Sequence, residues 1–438
     1  MKKIIILIAI VALFVQAQAQ EQWSLQKCID YALENNIAIK QSQLNTDYQG
    51  NQLEQSKNNR LPDVSASLNQ NLSFGRNLLL DNTYDNFTSS GTSADIGARA
   101  LIWQGGRLNN TIKQTEYDFK SSIENLNKVK DDIILGIASG YLEILFAEEV
   151  TRVAETQVEQ TKKQIERTKK LVDAGKVAQG VLLEIEAQLA REELDVVNGQ
   201  NNIQIAYLNL AQFLELDNYS QFKIQIPVFP ELKAQASLSL SGEVYNKAVE
   251  TRPEIKSAEF QLKSAETQLK IAESGKLPTV SAYANISDRY IASDYIASSL
   301  GDQLETNLGE NVGVSVSIPI FSRFQNRTNI ANSKLQIENN ELELEKVKKD
   351  LRKKIEQSYT SATAALKRYN ANKVAVKSMQ ESFRYIEEKY NVGRVNSVEY
   401  NDSKSKLAIA ESNLIQAKYD FIFRSKILDF YNGIPIEL

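Results

Sequence analysis

The six residues LPDVSA at Leu61–Ala66 return as LPTVSA at Leu277–Ala282, 216 residues further along the chain (277 − 61). In both places proline stops the helical pattern before it and biases the preceding residue towards extended backbone. From Val64 and from Val280 onwards, apolar and polar residues alternate with a period of two, which is typical of a strand with one apolar face. The same change from helix to strand is therefore predicted twice in one chain.

The rest of the chain repeats as well. The sequence AGKV at 174–177 aligns with VGRV at 392–395 at a shift of 218, so the shift changes by only two residues between the strands and the long helices. Two copies of one plan, repeat 1 at 20–235 and repeat 2 at 236–438, account for this spacing. The proline-bearing segment Ile226–Ala236 is the predicted linker between them.

The first 20 residues have the composition of a secretory leader. Two lysines precede an apolar run of about 12 residues at Ile4–Val15, and Ala17 and Ala19 supply the small residues of a cleavage site. The run is shorter than the roughly 20 apolar residues of a membrane-spanning helix. We therefore predict a signal peptide at 1–19, with an uncleaved anchor helix as the alternative.

The composition excludes several classes of function. The chain has no histidine, which removes Ser-His-Asp triads, HExxH zinc sites and most transition-metal sites. Cys28 is the only cysteine, so no internal disulfide can form. A net charge of −4 argues against nucleic acid as a partner. We expect a protein that is not an enzyme and needs no cofactor or metal. It is either soluble or inserted in a membrane as a β-barrel.

Each copy contains two predicted strands separated by a polar loop, at Gly75–Ser93 and at Asp288–Glu310. Within each strand one face is apolar and the other is polar. The apolar faces consist of Val64, Ala66, Leu68, Leu72 and Phe74 and then Ile96, Ala98, Ala100 and Ile102 in the first copy, and of Val280, Ala282, Ala284 and Ile286 and then Val312, Val314, Val316, Ile318 and Ile320 in the second.

Helical patterns fill the remainder of each copy. One helix precedes the first strand, and a very long proline-free helix follows the second strand and leads through a glycine turn to a returning helix. In the first long helix, Ile134, Ile137, Tyr141 and Ile144 have the spacing of a packing seam. The predicted helices are Ser24–Asn59, Arg107–Asp173 and 180–215 in the first copy, and Ser241–Gly275, Arg327–Asn391 and 398–431 in the second.

Four amphipathic strands in one chain are too few to close a channel. A soluble antiparallel coiled coil with a β decoration would account for the helices, but it leaves the apolar strand faces without a partner layer and the sheet edges open. Lipid is the natural partner of such faces, and a sheet that spans a membrane must close on itself. Strands from several chains could close one barrel.

The sequence resembles the TolC-like outer-membrane efflux protein family, also called outer membrane factors. The resemblance is carried by the helix opening Ala32-Leu33-Glu34-Asn35-Asn36, by the two LPxVS sequences, and by Gly175 and Gly393 at the two hairpin turns. The order helix, strand, strand, long helix, turn, helix, given twice, matches along essentially the whole mature chain. One departure is Ile37, where the family often has the proline that the second copy keeps as Pro253.

The resemblance implies an α+β membrane protein that is a homotrimer. Four strands from each of three chains would form a twelve-stranded β-barrel in the outer membrane, continued into the periplasm by a long α-helical barrel. Leu61, Pro62, Leu277 and Pro278 would mark the points where the chain passes from the helical barrel into the membrane barrel.

The family acts as the exit duct of tripartite efflux or type I secretion systems. An inner-membrane pump, of the RND or ABC type, and a periplasmic adaptor, a membrane fusion protein, deliver small molecules or peptides to the duct. The resemblance therefore implies localisation in the outer membrane with a periplasmic helical domain. It also implies contact with outer-membrane lipid.

The resemblance places a gate at the periplasmic tip. Family members carry acids at the positions of Glu399 and Asp402, which lie three residues apart on one helix face. In a trimer they would form rings of carboxylates, which make a cation-preferring constriction. The alternative is that both acids only favour a helix N-terminus through the helix dipole. The first copy has Val181 and Glu184 at the matching places, so the gate is expected to differ between the copies.

Gly175 and Gly393 suit the two hairpin turns because a tight turn between helices commonly needs a positive φ. Lys176 and Arg394 directly follow these glycines and are candidates for adaptor contact or for ion pairs between neighbouring hairpins. A solvated surface position is the alternative for both.

Two other classes of protein stay open from the residues. A periplasmic coiled-coil adaptor also has a leader and long helical hairpins, but it generally has one hairpin flanked by compact β domains. A structural or adhesive coiled coil should have unbroken heptads, whereas here the helical pattern is interrupted at matching places in both copies. The cargo stays open between drugs, metal ions, and peptides or proteins.

Overall fold

A computed structural model gives the structure of residues 22–78, 82–218, 222–227, 238–293 and 298–437. The predicted signal peptide at 1–19 lies outside these described residues, as does the part of the predicted linker from 228 to 236. The boundary between the two predicted repeats falls in that part of the linker.

The described ranges contain long helices, short helices and one extended sheet. The helices are α1 Leu25–Asn35, α2 Ile37–Asn58, α3 Arg107–Asp173, α4 Gln179–Phe213, α5 Ser241–Thr251, α6 Pro253–Ser274, α7 Leu300–Thr306, α8 Gln325–Asn391 and α9 Ser397–Tyr431. The strands are β1 Gln22–Trp23, β2 Asp63–Ser73, β3 Arg76–Leu78, β4 Tyr84–Asn86, β5 Ser89–Trp103, β6 Lys223–Ile224, β7 Thr279–Ser293 and β8 Gly309–Ser317.

The long helices agree closely with the sequence patterns. α3 and α8 each contain 67 residues, and α4 and α9 each contain 35. α3 has the predicted bounds, and α8 begins at Gln325 instead of Arg327. The predicted seam is a buried one, since Ile137, Tyr141 and Ile144 are almost fully enclosed. Within the described residues, no helix combines the length and the apolar character needed to cross a membrane.

The two helices predicted to precede the first strands are each broken in the structure, so the prediction of single helices there is wrong. Asn36 and Arg252 have extended backbone, with ψ values of 130° and 135°, which interrupts the helical path. At Arg252 the cause is Pro253, because the helical region is disfavoured before proline. Asn36 reaches the same geometry without proline. Its side-chain Oδ1 accepts a hydrogen bond from the N–H of Ala38 at 2.9 Å and caps α2.

The four long strands form one antiparallel sheet in the order β2-β5-β7-β8. β5, from the first half of the chain, pairs with β2 on one side and with β7, from the second half, on the other. β8 completes the sheet beside β7. β2 and β8 therefore lie at its two edges, and in the described part of the chain the outer side of each has no partner strand.

The predicted loops are shorter in the structure, because the strands extend into them. β5 begins at Ser89 rather than after Ser93, and β7 continues to Ser293. Serine, threonine and glycine at these positions still pair through the backbone, which side-chain alternation does not reveal. In the second loop, the amide of Gln303 on α7 bonds both the N–H and the C=O of Ile291, each at 2.8 Å. The Gln303 side chain thus bonds the backbone of β7 beyond Ser287, the last β7 residue that pairs with β8.

The chain divides into two compact units. The hairpin unit comprises Met1–Leu44, Glu124–Lys256 and Lys346–Leu438, in their described parts, and the sheet unit comprises Asn45–Ile123 and Ser257–Glu345. In the hairpin unit, β1 and β6 pair in parallel, and the hydroxyl of Tyr141 donates to the Trp23 carbonyl oxygen at 3.2 Å. In the sheet unit, the Oγ atoms of Ser121 and Ser257 lie 2.9 Å apart between α3 and α6.

Candidate functional site

One face of the sheet is mainly apolar. Residues directly opposite each other in an antiparallel ladder point to the same face. The register of the four strands brings apolar residues together in rows on this face. One row consists of Val64, Ala98, Ala284 and Val312, and two residues further along, Ala66, Ile96 and Ile286 share a row with the acidic Glu310.

Large apolar side chains on this face are exposed in the single chain. Leu68 on β2 is 75 % exposed and Val312 on β8 is 83 % exposed, whereas Ile286 on the central strand β7 is 49 % exposed. Contiguous exposed apolar surface of this kind marks a site of contact with another protein or with lipid. The sheet thus presents an exposed, mainly apolar face between two edges that have no partner strand in the described residues.

The opposite face is polar and nearly neutral. Its rows include Ser65, Gly97, Asn285 and Asn311, and Ser67, Asp95, Ser287 and Gly309. Asp63 lies opposite Arg99 in the ladder, so this face carries residues of both charges. A water-filled passage lined by such a face would present hydroxyl and amide groups with little net charge.

One aromatic ring lies flat against this polar face. A methyl group placed on Gly313 would come within 2.5 Å of the hydroxyl oxygen of Tyr283, the residue opposite it in the ladder. The Tyr283 ring therefore occupies the space that a side chain on β8 would take.

The predicted points of passage lie between a helix and a strand in the structure. α2 ends at Asn58 and β2 begins at Asp63, so Leu61 and Pro62 lie in the connection between them. Leu277 and Pro278 lie in the same way between α6 and β7. The side chain of Leu277 packs over Gly105, where an added methyl group would come within 2.7 Å of Leu277 Cδ1.

Both hairpin turns are made by glycine in the left-handed region. Gly175 has φ 70° and Gly393 has φ 74°. Each turn is a Schellman motif, in which the N–H of the residue after glycine bonds a carbonyl five residues earlier. These bonds join Lys176 to Leu171 and Arg394 to Lys389, both at 2.9 Å. Both glycines thus lie in the turns, and Lys176 and Arg394 are exposed beside them.

Near these turns the first hairpin, α3 and α4, is joined to the second, α8 and α9. The guanidinium of Arg167 on α3 donates to the side-chain and main-chain oxygens of Asn391 at the end of α8. The hydroxyl of Ser397, the first residue of α9, donates to the carboxylate of Glu184 on α4 at 2.8 Å. These hydrogen bonds therefore link the two hairpins near their turns.

A buried ion pair joins three helices of the same unit. The ammonium of Lys404 on α9 lies 2.9 Å from Glu192 Oε1 on α4, and both side chains are almost fully buried. Lys404 also donates to Thr161 Oγ1 and to the Gln157 carbonyl oxygen on α3. Burial lowers the pKa of Lys404, and the hydrogen bond and charge of Glu192 oppose that shift.

Sequence reasoning missed Lys404 and Glu192. Glu192 follows Ile185 and Leu189 on α4 at the 4-3 spacing of a packing seam, so a charge at a seam position was the available signal. Of these two apolar residues, Ile185 is fully enclosed and Leu189 is half-buried.

Aromatic rings pack beside this ion pair. The ring of Tyr400 stacks on that of Tyr390, with centroids 4.6 Å apart, and lies against Phe383 at 5.3 Å. Burial, with a smaller contribution from the charge of Glu387, raises the pKa of Tyr400 to about 12. The hydroxyl therefore stays protonated near neutral pH and acts as a packing group.

The predicted gate acids lie in the first turns of α9, and both are exposed. Asn396 caps the helix, and its Oδ1 accepts from the N–H of Glu399 at 2.9 Å. Asp402 forms an exposed ion pair with Lys406, one turn further on, at 2.6 Å. In the described residues, no cluster of three or more Cys, Asp or Glu side chains is arranged to hold a metal ion.

The family model for "Outer membrane efflux protein" matches the chain twice, at residues 28–214 and 244–429. The outer membrane efflux protein BepC of Brucella suis is 20 % identical over 416 residues, which cover 94 % of this chain and 85 % of that protein. The outer membrane protein TolC of Escherichia coli is 23 % identical over 382 residues, which cover 83 % and 74 % of the two chains.

Solved structures share the fold. A crystal structure of CusC superposes with a TM-score of 0.81 at 18 % identity and covers 94 % of this chain and 92 % of that chain. The outer membrane protein VceC of Vibrio cholerae superposes with a TM-score of 0.79 at 15 % identity, covering 94 % and 97 %.

These features define an outer-membrane efflux channel of the TolC type. The chain belongs to the outer membrane efflux protein family. It is an outer-membrane protein that serves efflux, and its family is one of channels, not of enzymes.

Proposed function

We propose that three copies of this chain form the exit duct of a tripartite efflux or type I secretion system. Four strands from each copy build a twelve-stranded β-barrel in the outer membrane, and the long helices build an α-helical barrel in the periplasm. The observation that carries the proposal is the sheet β2-β5-β7-β8, with one apolar face, one polar face and two open edges. Such a sheet is complete only when other copies extend it.

The polar face supports the passage of solutes. Turned towards the lumen of a barrel, it would line a wet channel, while the apolar face would meet lipid. The two matches to the family model support two copies of one plan, repeat 1 at 20–235 and repeat 2 at 236–438, each contributing two strands and one long hairpin.

The residues near the turns at Gly175 and Gly393 support a periplasmic gate. Glu399 and Asp402 are exposed at the start of α9, where three copies would set six carboxylates around one axis. Lys176 and Arg394, exposed beside the turn glycines, are the positions we assign to contact with a periplasmic adaptor. The adaptor, in turn, connects the duct to an inner-membrane pump of the RND or ABC type.

The names of the relatives support a cargo of small molecules or peptides. One relative, from Aggregatibacter actinomycetemcomitans, is called toxin and drug export protein A and is 21 % identical over 327 residues. A polar, nearly neutral lining suits a duct that accepts varied cargo and leaves selection to the pump.

The mass of the native particle tests the proposal. The chain is extracted with detergent from purified outer membranes, and its mass is measured by light scattering or native mass spectrometry. Three chains of at most 49.3 kDa each give roughly 140 kDa after removal of the predicted leader. A particle of that mass supports the shared barrel. A monomer recovered from the soluble periplasmic fraction would overturn it in favour of a coiled-coil adaptor or a structural protein.

A further inference from the structure

The two open edges of the sheet are formed by strands from different predicted repeats. β2 is the first strand of the first copy and β8 is the second strand of the second copy. Val312, Val314 and Val316 on β8 are more than half exposed, as are Leu68 and Leu72 on β2. An edge of this kind is a template for pairing with another strand.

The chain already contains a template for this pairing. β5, the second strand of the first copy, pairs antiparallel with β7, the first strand of the second copy. In that pair, Ala98 lies opposite Ala284 and Ala94 lies opposite Asp288. The equivalent pair between molecules joins the second strand of repeat 2 to the first strand of repeat 1. That pair is β8 of one molecule with β2 of its neighbour.

The repeat fixes the register of that pair. A shift of 218 takes Ala98 to Val316, and a shift of −216 takes Ala284 to Leu68. We propose that β8 of one molecule pairs antiparallel with β2 of the next molecule, with Val316 opposite Leu68 and Val312 opposite Leu72. The inference rests on the proposed trimer and on the internal repeat, and it adds the residue-level contact through which copies join.

The side chains agree with this register. On the apolar face it sets Ile318 opposite Ala66, Val316 opposite Leu68 and Val312 opposite Leu72. On the polar face it sets Ser315 opposite Asn69 and Gly313 opposite Asn71. The apolar face of one copy therefore continues into that of the next. A slip of one residue would turn the apolar residues of β2 to the polar face, because side chains alternate with a period of two.

A slip of two residues keeps the faces, so the experiment must separate registers that differ by two. We test this with Val316→Cys combined in turn with Ala66→Cys, Leu68→Cys and Gln70→Cys. Directly opposite residues approach to about 4.5–5.5 Å between Cα atoms, which suits a disulfide, whereas a step of two along the strand adds roughly 6.6 Å of offset. The proteins are expressed in full, purified from outer membranes in detergent and oxidised with copper phenanthroline.

We expect the Val316→Cys, Leu68→Cys protein to give covalent dimers and trimers on non-reducing gels, at least several-fold more than the other two pairs. Each single variant is a control, and it also reports on Cys28, which is fully buried. The pair Ser315→Cys, Asn69→Cys checks the same register on the polar face. In an antiparallel ladder, hydrogen-bonded and non-hydrogen-bonded pairs alternate and differ in the distance between their Cα atoms. The two cysteine pairs are therefore of different types, and one of them has the separation that favours a disulfide.

Strongest cross-linking with Ala66→Cys or Gln70→Cys would overturn the register while leaving the trimer in place. The native mass of each variant is measured on the same preparation. A particle of trimer mass in which no pair cross-links overturns the β8–β2 contact. A monomeric particle of the native chain overturns the proposed trimer itself, so the two failures are distinguishable.

Discussion

Lys404 Nζ lies 2.9 Å from Glu192 Oε1, although 212 residues separate them in the chain. Both side chains are almost completely removed from solvent, and Thr161 Oγ1 donates to the other carboxylate oxygen at 2.5 Å. Every charged atom of the pair thus has a partner on a neighbouring helix. The second hairpin is held to the first through these polar contacts.

Removal of one member of this pair should be strongly destabilising. In Lys404→Met the carboxylate of Glu192 stays buried without its counter-charge, and we expect a loss of about 3–5 kcal/mol. The double variant Lys404→Met, Glu192→Leu removes both charges and should recover most of that loss. Urea unfolding of the hairpin unit in the full chain, followed by circular dichroism, measures the difference.

A matched control is Lys406→Met, whose exposed pair with Asp402 should contribute less than about 1 kcal/mol. Equal losses for Lys404→Met and Lys406→Met would contradict the buried-pair interpretation.

The gate acids should set ion preference. Glu399→Ala with Asp402→Ala should lower the cation preference of single channels in a planar bilayer, because the proposed rings of carboxylates would be lost. Lys406→Gln should raise it, because Lys406 holds a positive charge 2.6 Å from Asp402. Reversal potentials under a salt gradient measure both effects. Glu186→Ala, which removes an exposed carboxylate from α4, is the control. Unchanged selectivity in the double variant would remove these residues from the gate.

The turn glycines should resist substitution. Gly393→Ala forces a side chain into φ 74° and should cost about 1–2 kcal/mol, even though the space beside Gly393 is open. Gly180→Ala, also in open space but within helix α4, should instead stabilise by up to about 1 kcal/mol. Thermal unfolding separates the two signs.

Bulkier residues at the turns test whether the turns take part in docking of the adaptor. Gly175→Val or Gly393→Val should impair adaptor docking and efflux while the particle keeps trimer mass, since the turns lie far along the chain from the sheet. Normal efflux in these variants would count against a role of the turns in docking.

Tyr283 and Gly313 should be coupled. Gly313→Ala should destabilise by about 1–3 kcal/mol, because the new methyl group meets the Tyr283 hydroxyl at 2.5 Å. Tyr283→Ala in the same chain should relieve that clash, so the double variant should be more stable than the sum of the single effects predicts. Gly91→Ala on β5, where nothing lies within 4 Å, is the control. Additive losses in the double variant would show that the ring does not occupy this space.

Asp118 should make stability depend on pH. Burial raises its pKa, opposed by the hydrogen bond from Ser264 Oγ at 2.6 Å. Between the ordinary aspartate pKa of about 3.9 and the raised value, the folded state binds more protons than the unfolded state. The folded chain therefore loses stability as pH rises through that window. Asp118→Asn keeps an acceptor for Ser264 and should raise the melting temperature at pH 7 but have little effect near pH 3.5. A variant that is less stable than the native chain at pH 7 would contradict this.

The helical hairpins were predictable because their signals are local. Gly175 and Gly393 follow long proline-free runs, and the left-handed geometry of both glycines follows from the turn chemistry. The break at Asn36 was not predictable in the same way. It depends on a side chain that caps α2 and that also donates to the Phe213 carbonyl oxygen, 177 residues away.

Some residues of the candidate site could also be predicted from the sequence, and others could not. Glu399 and Asp402 came from a family resemblance, and the structure places them as exposed residues at a helix start. Lys404 and Glu192 came only from the structure. A charge at a seam position signals burial but not its partner, because the partner lies on another hairpin.

The sequence by itself determined where helix changes to strand and which strand face is apolar. These follow from proline and from period-two alternation, both of which act over a few residues. Only the tertiary structure decided the strand order β2-β5-β7-β8, the register of Ala98 against Ala284, and the pairing of Lys404 with Glu192. Those choices depend on packing between segments far apart in the chain, where each contact is selected by the free energy of the whole arrangement.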